Sequence, residues 1–487
     1  MTLQRLAEPF GTLAQLLREH ARAAPRRPAI VLGERAMDYA TLDAAVDRVA
    51  ARLQREGVAP RDAVAICAGT SIEYLVVFLG CLRAGAAAAL ISPYLPAEVI
   101  SRMARDSGAR LAFLDQQALE RALDAPAATP QPVDVEAEWP FNIIYSSGTT
   151  GEPKGIVQPH AMRWTHLQRA PLYGYAAASV TLISTPLYSN TTLVAVFPTL
   201  AMGGTVVLMP KFDPGEYLAL AERHRVTHTM LVPVQYQRIM AREDFGRHDL
   251  RSFVTKFSTS APFAAELKRD VLARWPGGLV EFYGMTEGGG TCVLQAHVHR
   301  DKLHTVGPPA PGHDIRIVDD AGRELTAGET GEVVGHSAGI MTGYHRRPEL
   351  TEQATWRDAA GKRFIRTGDV GRFDDDGFLV LVDRKKDMII SGGFNIYPSD
   401  LEAIVRGHPA VADVAVVGVA SQRWGETPVA FIVTRDGSDA RGVLEWANAR
   451  LGKVQRLADV RVVAQLPRSP IGKVLKRELR DAYGRGA

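Results

Sequence analysis

The sequence predicts an α/β protein. A large N-terminal domain of doubly wound sheets carries a small β-barrel-like subdomain and precedes a small mobile α+β C-terminal domain. Three observations predict this. Apolar strands alternate with helical patterns through the first part of the chain. After Gly307 the pattern changes to short strands split by Asp/Gly turns. Beyond the five consecutive charges Asp383-Arg384-Lys385-Lys386-Asp387 a third pattern begins. At 487 residues the chain also exceeds what one core usually supports.

The elements follow in order. Ala63–Cys67 reads as a strand, Ser71–Arg83 as a helix, Ala87–Ile91 as a strand, Ala97–Asp106 as a helix and Arg110–Leu114 as a strand. Asp124 to Glu136, rich in Ala and Pro, reads as a surface connection. The apolar run Phe141-Asn142-Ile143-Ile144 is the next strand. Thr191 to Met209 carries no charge and approaches spanning length, but Pro198 and Gly203-Gly204 interrupt it. It is expected to be a buried helix, a turn and the strand Thr205–Met209. Leu279–Phe282 is a further strand. Past Gly307, the strand Asp314–Val318, the turn Asp319-Asp320-Ala321-Gly322 and the strand Glu332–Val334 define the barrel-like part.

The charge run separates the strands Phe378–Val382 and Met388–Ile390. The rest, about 100 residues, has its own α+β pattern and the size of a small domain. Its elements are the helix Pro398–Arg406, the strands Val411–Val419 and Val429–Val433, the helix Ala440–Leu451 and the strand Val460–Val463. The expected division is 1–382, a hinge at 383–387, and 388–487.

Composition narrows the class. Hydrophobic content of 46% and charged content of 23% are ordinary for a soluble protein, and a net charge of +3 gives no support for nucleic-acid binding. Cys67, Cys81 and Cys292 are scattered without CxxC spacing, which argues against disulfides and zinc and suits a reducing cytoplasm. His297, His299 and His304 lack ligand spacing. Met1 to Glu8 has early charges and no long apolar run, so no signal peptide and no stable membrane insertion are expected. A monomer or homodimer is expected.

The residues that carry chemistry begin directly after the strand at Phe141. In Tyr145-Ser146-Ser147-Gly148-Thr149-Thr150-Gly151-Glu152-Pro153-Lys154-Gly155, hydroxyl residues, glycines and a lysine crowd into one turn. Glycines let backbone N–H groups approach an anion, hydroxyls add donors, and Lys154 adds a charge. This is a polyphosphate grip. It is not the Walker loop, because Lys154 follows Pro153 and precedes Gly155 rather than Ser or Thr. Tyr283-Gly284-Met285-Thr286-Glu287 combines a ring that can stack on a base, a hydroxyl that can donate to phosphate and a carboxylate that can hold Mg²⁺. In Arg366-Thr367-Gly368-Asp369 the carboxylate can accept ribose hydroxyls. Pro467-Arg468-Ser469-Pro470-Ile471-Gly472-Lys473 sets a lysine on a Gly/Pro loop.

Together and in this order, the pieces resemble the adenylate-forming superfamily of acyl-CoA and aryl-CoA ligases, firefly luciferase and peptide-synthetase adenylation domains. The resemblance runs from Asp38-Tyr39-Ala40-Thr41-Leu42 to Lys473. It includes Val306-Gly307-Pro308-Pro309-Ala310-Pro311-Gly312, Gly343-Tyr344, Asp383-Arg384 and Ser391-Gly392-Gly393-Phe394-Asn395-Ile396-Tyr397-Pro398. It implies an acid–CoA ligase using ATP, Mg²⁺ and coenzyme A, in which an acyl-adenylate forms and a thiol displaces AMP. By resemblance, Ser146, Ser147, Gly148, Thr149, Thr150, Gly151 and Lys154 wrap the β and γ phosphates. Tyr283 lies against adenine, Thr286 touches the α-phosphate and Glu287 binds Mg²⁺. Asp369 and Arg384 take the ribose. Lys473 bridges carboxylate and α-phosphate. Lys386 is the hinge about which the small domain turns between half-reactions, and Gly392 and Gly393 then line a pantetheine tunnel. Arg423-Trp424-Gly425 resembles a segment of benzoate-type ligases, which places Trp424 by the CoA adenine.

The substrate pocket by the same resemblance involves Tyr188, Ser189, Ser260, Ala261, Gly284 and Gly288. It departs from the family pattern. Ser189 replaces a frequent His in Pro186-Leu187-Tyr188-Ser189-Asn190, and Ser258-Thr259-Ser260-Ala261-Pro262 replaces Ser-Gly-Gly-Ala-Pro. Asp400 stands where Glu is common. The glycine run Gly288-Gly289-Gly290 hints at room for a larger acid: aromatic, alicyclic or medium-chain. The alternative acceptor is a carrier-protein thiol. A non-catalytic ATP-binding protein is the rival of another class, and the intact Lys154, Glu287, Asp369 and Lys473 argue against it.

Overall fold

The computed structural model describes residues 2–124, 126–146, 154–391, 394–422, 424–435, 440–452, 455–469 and 472–484. Ser147, Gly148, Thr149, Thr150, Gly151, Gly392 and Gly393, and the side chains of Ser146 and Lys386, lie outside the described set. The chain divides into two compact units, Met1–Ile315 with Gly335–Ile365, and Arg316–Val334 with Arg366–Ala487.

The first unit holds two large sheets. In the six-stranded sheet the order is Gly343–Tyr344, Lys154–Pro159, Pro140–Ser146, Ala87–Leu90, Ala63–Ile66 and Leu111–Phe113. Ala63–Ile66 and Ala87–Leu90 are buried at every position and pair in parallel. That double burial is why they read as unbroken apolar runs. The helix between them, Ile72–Arg83, is buried along its whole length and is capped by Ser71 Oγ, which accepts from Tyr74 N at 3.1 Å. Its charges are paired, Glu73 with Arg35 and Arg83 with Asp47 at 2.9 Å, as buried charges must be.

The eight-stranded sheet runs Cys292–Gln295, Gly278–Tyr283, Thr255–Ser258, His228–Leu231, Val180–Ile183, Thr205–Leu208, Pro28–Leu32 and Arg35–Asp38. Its six central strands pair in parallel and only its two edge strands pair antiparallel. The uncharged stretch is the buried helix Asn190–Ala201, with Pro198 inside it, followed by Thr205–Leu208. Among the described residues no helix is long and apolar enough to cross a membrane.

Lys154 differs from expectation. It is not only the end of a loop; it opens the strand Lys154–Pro159, which runs antiparallel to Pro140–Ser146 with Ser146 opposite Lys154. Side chains alternate along a strand, so Lys154, Ile156 and Gln158 share one face.

In the second unit the expected Asp/Gly turn is present: Asp319 N donates to Arg323 O at 2.9 Å and Gly322 N to Asp319 O at 3.0 Å. Here too Leu379–Arg384 pairs antiparallel with the strand ending at Phe373. Lys385–Asp387 form a single 3₁₀ turn. The C-terminal sheet runs Phe394–Ile396, Ile389–Ser391, Gly425–Thr434 and Val411–Ser421, with Asp459–Val462 parallel to Gly425–Thr434. Helices Pro398–Arg406 and Ala440–Asn448 bury Leu401, Val405, Val443 and Ala447 against one face of it.

Candidate active site

The first unit brings Lys154, Thr286 and Glu287 into one cluster. The Tyr283–Glu287 segment leaves the eight-stranded sheet at the end of Gly278–Tyr283, the strand next to the edge, where Tyr283 pairs with Cys292 of the edge strand. Glu287 is only 9% exposed. Its Oε1 accepts a 2.9 Å hydrogen bond from Tyr344 Oη, and its backbone O accepts from Met341 N at 2.8 Å. Lys154 Nζ lies 5.2 Å from the centre of the Tyr344 ring. Burial raises the Tyr344 phenol above its ordinary value, and the adjacent Glu287 carboxylate raises it further, so the phenol stays a donor.

One turn along the same segment, Gln158 Nε2 donates to Thr286 O at 2.6 Å. Met285 packs with Ile156 and Met341. The shared face of the Lys154–Pro159 strand therefore addresses the Tyr283–Glu287 segment residue by residue, with Lys154 across the Tyr344 ring, Ile156 on Met285 and Gln158 on Thr286. Tyr344 itself is placed by the edge pairing of Gly343–Tyr344 with Val157 and Ile156. The sequence carried Gly343-Tyr344 as a motif but gave the tyrosine no task, and Gln158 had no signal beyond being polar in an apolar strand.

The expected acid pocket contains one unusual backbone. Ser260 has φ of 79°, in the left-handed region where a side chain is costly, at a position where the family pattern has glycine. Its Oγ lies 2.7 Å from Thr191 Oγ1 at the start of Asn190–Ala201, and that bond offsets part of the strain. Tyr188, Ser189 and Ala261 are partly buried and Gly284 is exposed.

The glycine run needs a correction. Gly288, Gly289 and Gly290 have φ of 75°, 79° and 142°. A Cβ at Gly288 would stand 2.0 Å from Gly339 O; at Gly289, 2.7 Å from Ile365 Cβ; at Gly290, 2.3 Å from Ile315 Cδ1. The space their missing side chains leave is filled by protein, so the run is explained by close packing and left-handed backbone rather than by room for a larger acid.

In the second unit, Arg384 Nε meets Asp369 Oδ1 at 3.1 Å, because the two residues face each other across paired strands. Thr367 Oγ1 accepts from Asp369 N at 3.0 Å and itself donates to Val333 O at 2.8 Å. A carboxylate and a guanidinium side by side can accept from and donate to a pair of hydroxyls.

Lys473 sits half-buried on a closed loop. Ser469 N donates to Lys473 O at 2.8 Å, Lys473 N to Ser469 Oγ at 3.2 Å, and Arg468 Nη1 to Gly472 O at 2.8 Å. Gly472, with φ of 76°, supplies the left-handed turn. Trp424 is 48% exposed, so it is a surface ring and not a core one.

The AMP-binding enzyme family matches residues 17–345, and the AMP-binding enzyme C-terminal domain matches residues 400–473. A feruloyl-CoA synthase from an Amycolatopsis species is 35% identical over 95% of this chain and 97% of its own. An indoleacetate–CoA ligase from Aromatoleum aromaticum is 33% identical over 97% and 98%. A fatty acid–[acyl-carrier-protein] ligase, ScoC from Streptomyces coeruleorubidus, is 30% identical over 99% and 98%. Among solved structures, ATP-bound MatB from Rhodopseudomonas palustris superposes with a TM-score of 0.87 at 29% identity, over 96% of this chain and 99% of that one. Fold and cluster thus define an acid-activating ligase. The chain belongs to the AMP-binding enzyme family and is an AMP-forming acid–thiol ligase that works through an acyl-adenylate.

Proposed function

We propose that this enzyme is an ATP-dependent carboxylic acid–CoA ligase acting on an aromatic, alicyclic or medium-chain acid. The observation that carries the nucleotide part is the Lys154–Tyr344–Glu287 cluster, one cation and one oriented carboxylate held in place from a single sheet edge. Among the described residues no three His, Cys, Asp or Glu side chains form a metal cage. The Glu287 carboxylate fits magnesium, which takes one or two carboxylates together with substrate phosphates and water. Bound there, the ion would offset phosphate charge. Full-length similarity to a feruloyl-CoA synthase and an indoleacetate–CoA ligase supports the acceptor and the size of the acid.

In the first step the acid's carboxylate oxygen bonds to the α-phosphorus of ATP while the bond to pyrophosphate breaks. Both reactants are anionic, so Lys473 is assigned to the space between them. A cation there stabilises the transition state more than the separated ground state. Ser146 to Gly151 and Lys154 hold the outer phosphates, Tyr283 the adenine, Thr286 the α-phosphate, and Asp369 with Arg384 the ribose. In the second step the CoA sulfur bonds to the acyl carbon, AMP leaves with the electron pair, and the thiol proton passes to solvent. Lys386 is the hinge for the change between steps. Gly392 and Gly393 line the pantetheine path, and the exposed Trp424 ring stacks on the CoA adenine.

The second reading is transfer to a carrier-protein thiol, favoured by the full-length similarity to a fatty acid–carrier-protein ligase. Pyrophosphate release with Mg-ATP across a panel of acids, with and without CoA, decides. CoA-dependent turnover on one acid class supports the proposal and names the substrate. Release that ignores CoA points to a carrier protein, and silence throughout overturns both.

A further inference from the structure

A fully buried arginine lies behind the cluster. Arg163, on the helix His160–Gln168, is 2% exposed and makes no ion pair among the described residues. Burial pushes its guanidinium down to about 9. Its carbon centre lies 5.6 Å and 5.9 Å from the ring centres of Phe141 and Phe197. A buried charge without a carboxylate costs stability, so its contacts are informative.

Those contacts form a chain with one direction. Arg163 Nε and Nη2 donate to Asn142 Oδ1 at 3.2 Å and 3.0 Å, and Nη2 also donates to Gln158 Oε1. Asn142 Nδ2 donates to Gln158 Oε1 at 3.0 Å, and Gln158 Nε2 donates to Thr286 O at 2.6 Å. Asn142 and Gln158 are both fully buried. An amide can point either way round, but an arginine has no acceptor at all. Arg163 therefore dictates both amides. Oδ1 of Asn142 and Oε1 of Gln158 must turn toward it, which leaves the Gln158 amide N–H facing the Thr286 carbonyl.

We propose that Gln158, polarised by Arg163 through Asn142 and directly, is a positioning residue for acyl-adenylate formation. By holding the Thr286 carbonyl it aims the Thr286 hydroxyl and the Glu287 carboxylate at Mg-ATP, while Tyr344 fixes the other end of Glu287. This rests on the assignment of Thr286 and Glu287 to the α-phosphate and magnesium.

Gln158→Glu separates positioning from folding. The new carboxylate still accepts from Arg163 and Asn142, now as an ion pair, but sets an oxygen against Thr286 O. The thermal midpoint should hold. Mg-ATP affinity by calorimetry and acid-dependent ATP–pyrophosphate exchange should each fall about 10- to 100-fold, the range for losing one buried hydrogen bond and gaining a repulsion. Thioester formation from supplied acyl-adenylate should stay within about twofold, because that step no longer uses ATP phosphates. A folded variant with wild-type exchange and Mg-ATP affinity, or one that loses both half-reactions equally, overturns the proposal. Arg163→Met and Arg163→Lys give a second test should Gln158→Glu fail to fold. The methionine frees the amides to flip and should lose exchange, whereas the lysine keeps a donor-only group and should restore most of it. Equal behaviour of the two overturns the proposal. Wild-type protein is the control: if it binds no Mg-ATP and exchanges no pyrophosphate with any acid, the functional assignment fails and the positioning role falls with it.

Discussion

Tyr344 Oη donates to Glu287 Oε1 at 2.9 Å, and the same ring spans the gap to Lys154 Nζ, 5.2 Å from its centre. One side chain thus orients the carboxylate and packs its ring near the lysine cation. Tyr344→Phe keeps the ring and removes the bond. It should lower kcat/KM for ATP in pyrophosphate exchange by about tenfold, the worth of one hydrogen bond to a charged group, with the thermal midpoint nearly unchanged. Unaltered ATP kinetics would remove Tyr344 from the site.

Lys473→Ala should reduce acyl-adenylate formation by roughly 10²–10⁴, because the cation assigned between the two anions is lost. Thioester formation from supplied acyl-adenylate should survive. Bonds between Ser469 and the Lys473 backbone and the Arg468–Gly472 bond close the surrounding loop and are kept in the variant, so folding should survive as well. Equal loss in both half-reactions would contradict the two-step assignment.

The 3₁₀ turn Lys385–Asp387 contains Lys386, the expected hinge position within 383–387. Proline fixes φ and restricts the preceding residue, so Lys386→Pro should trap one arrangement. Single-turnover assays should show thioester formation suppressed far more than adenylation. Wild-type rates in both would place the hinge elsewhere.

Ser260 offers a stability test. Ser260→Ala keeps the left-handed strain and loses the bond to Thr191, and should cost about 1–2 kcal/mol in a denaturant melt. Ser260→Gly loses the same bond but relieves the strain, and should fall within about 1 kcal/mol of wild type. Alanine proving as stable as glycine would refute the strain.

Much of the fold was legible because its physics is local. Ala63–Ile66 and Ala87–Leu90 are buried on both faces, so each is a plain apolar run. Ala97–Asp106 has the period and boundaries of a surface helix. Motif residues were legible by kind: a lysine after a glycine-rich loop, a carboxylate after a tyrosine. What could not be read was pairing across distance. Gln158 meets Thr286, 128 residues later, and nothing in its immediate neighbours announces it. The glycine run was misread for the same reason. A glycine declares that a side chain is missing, but only the structure shows that Gly339 and Ile315 occupy the place.

That occupancy limits how the enzyme can diversify. At positions 288 to 290 every coding change except the silent ones drives a carbon into Gly339, Ile365 or Ile315 and forces a side chain into left-handed backbone. A combinatorial library that randomised those three sites to broaden the acids accepted would return mostly unfolded clones. Position 260 shares the left-handed backbone but carries a side chain, held by its hydroxyl contact to Thr191, so there the constraint is conformational rather than steric.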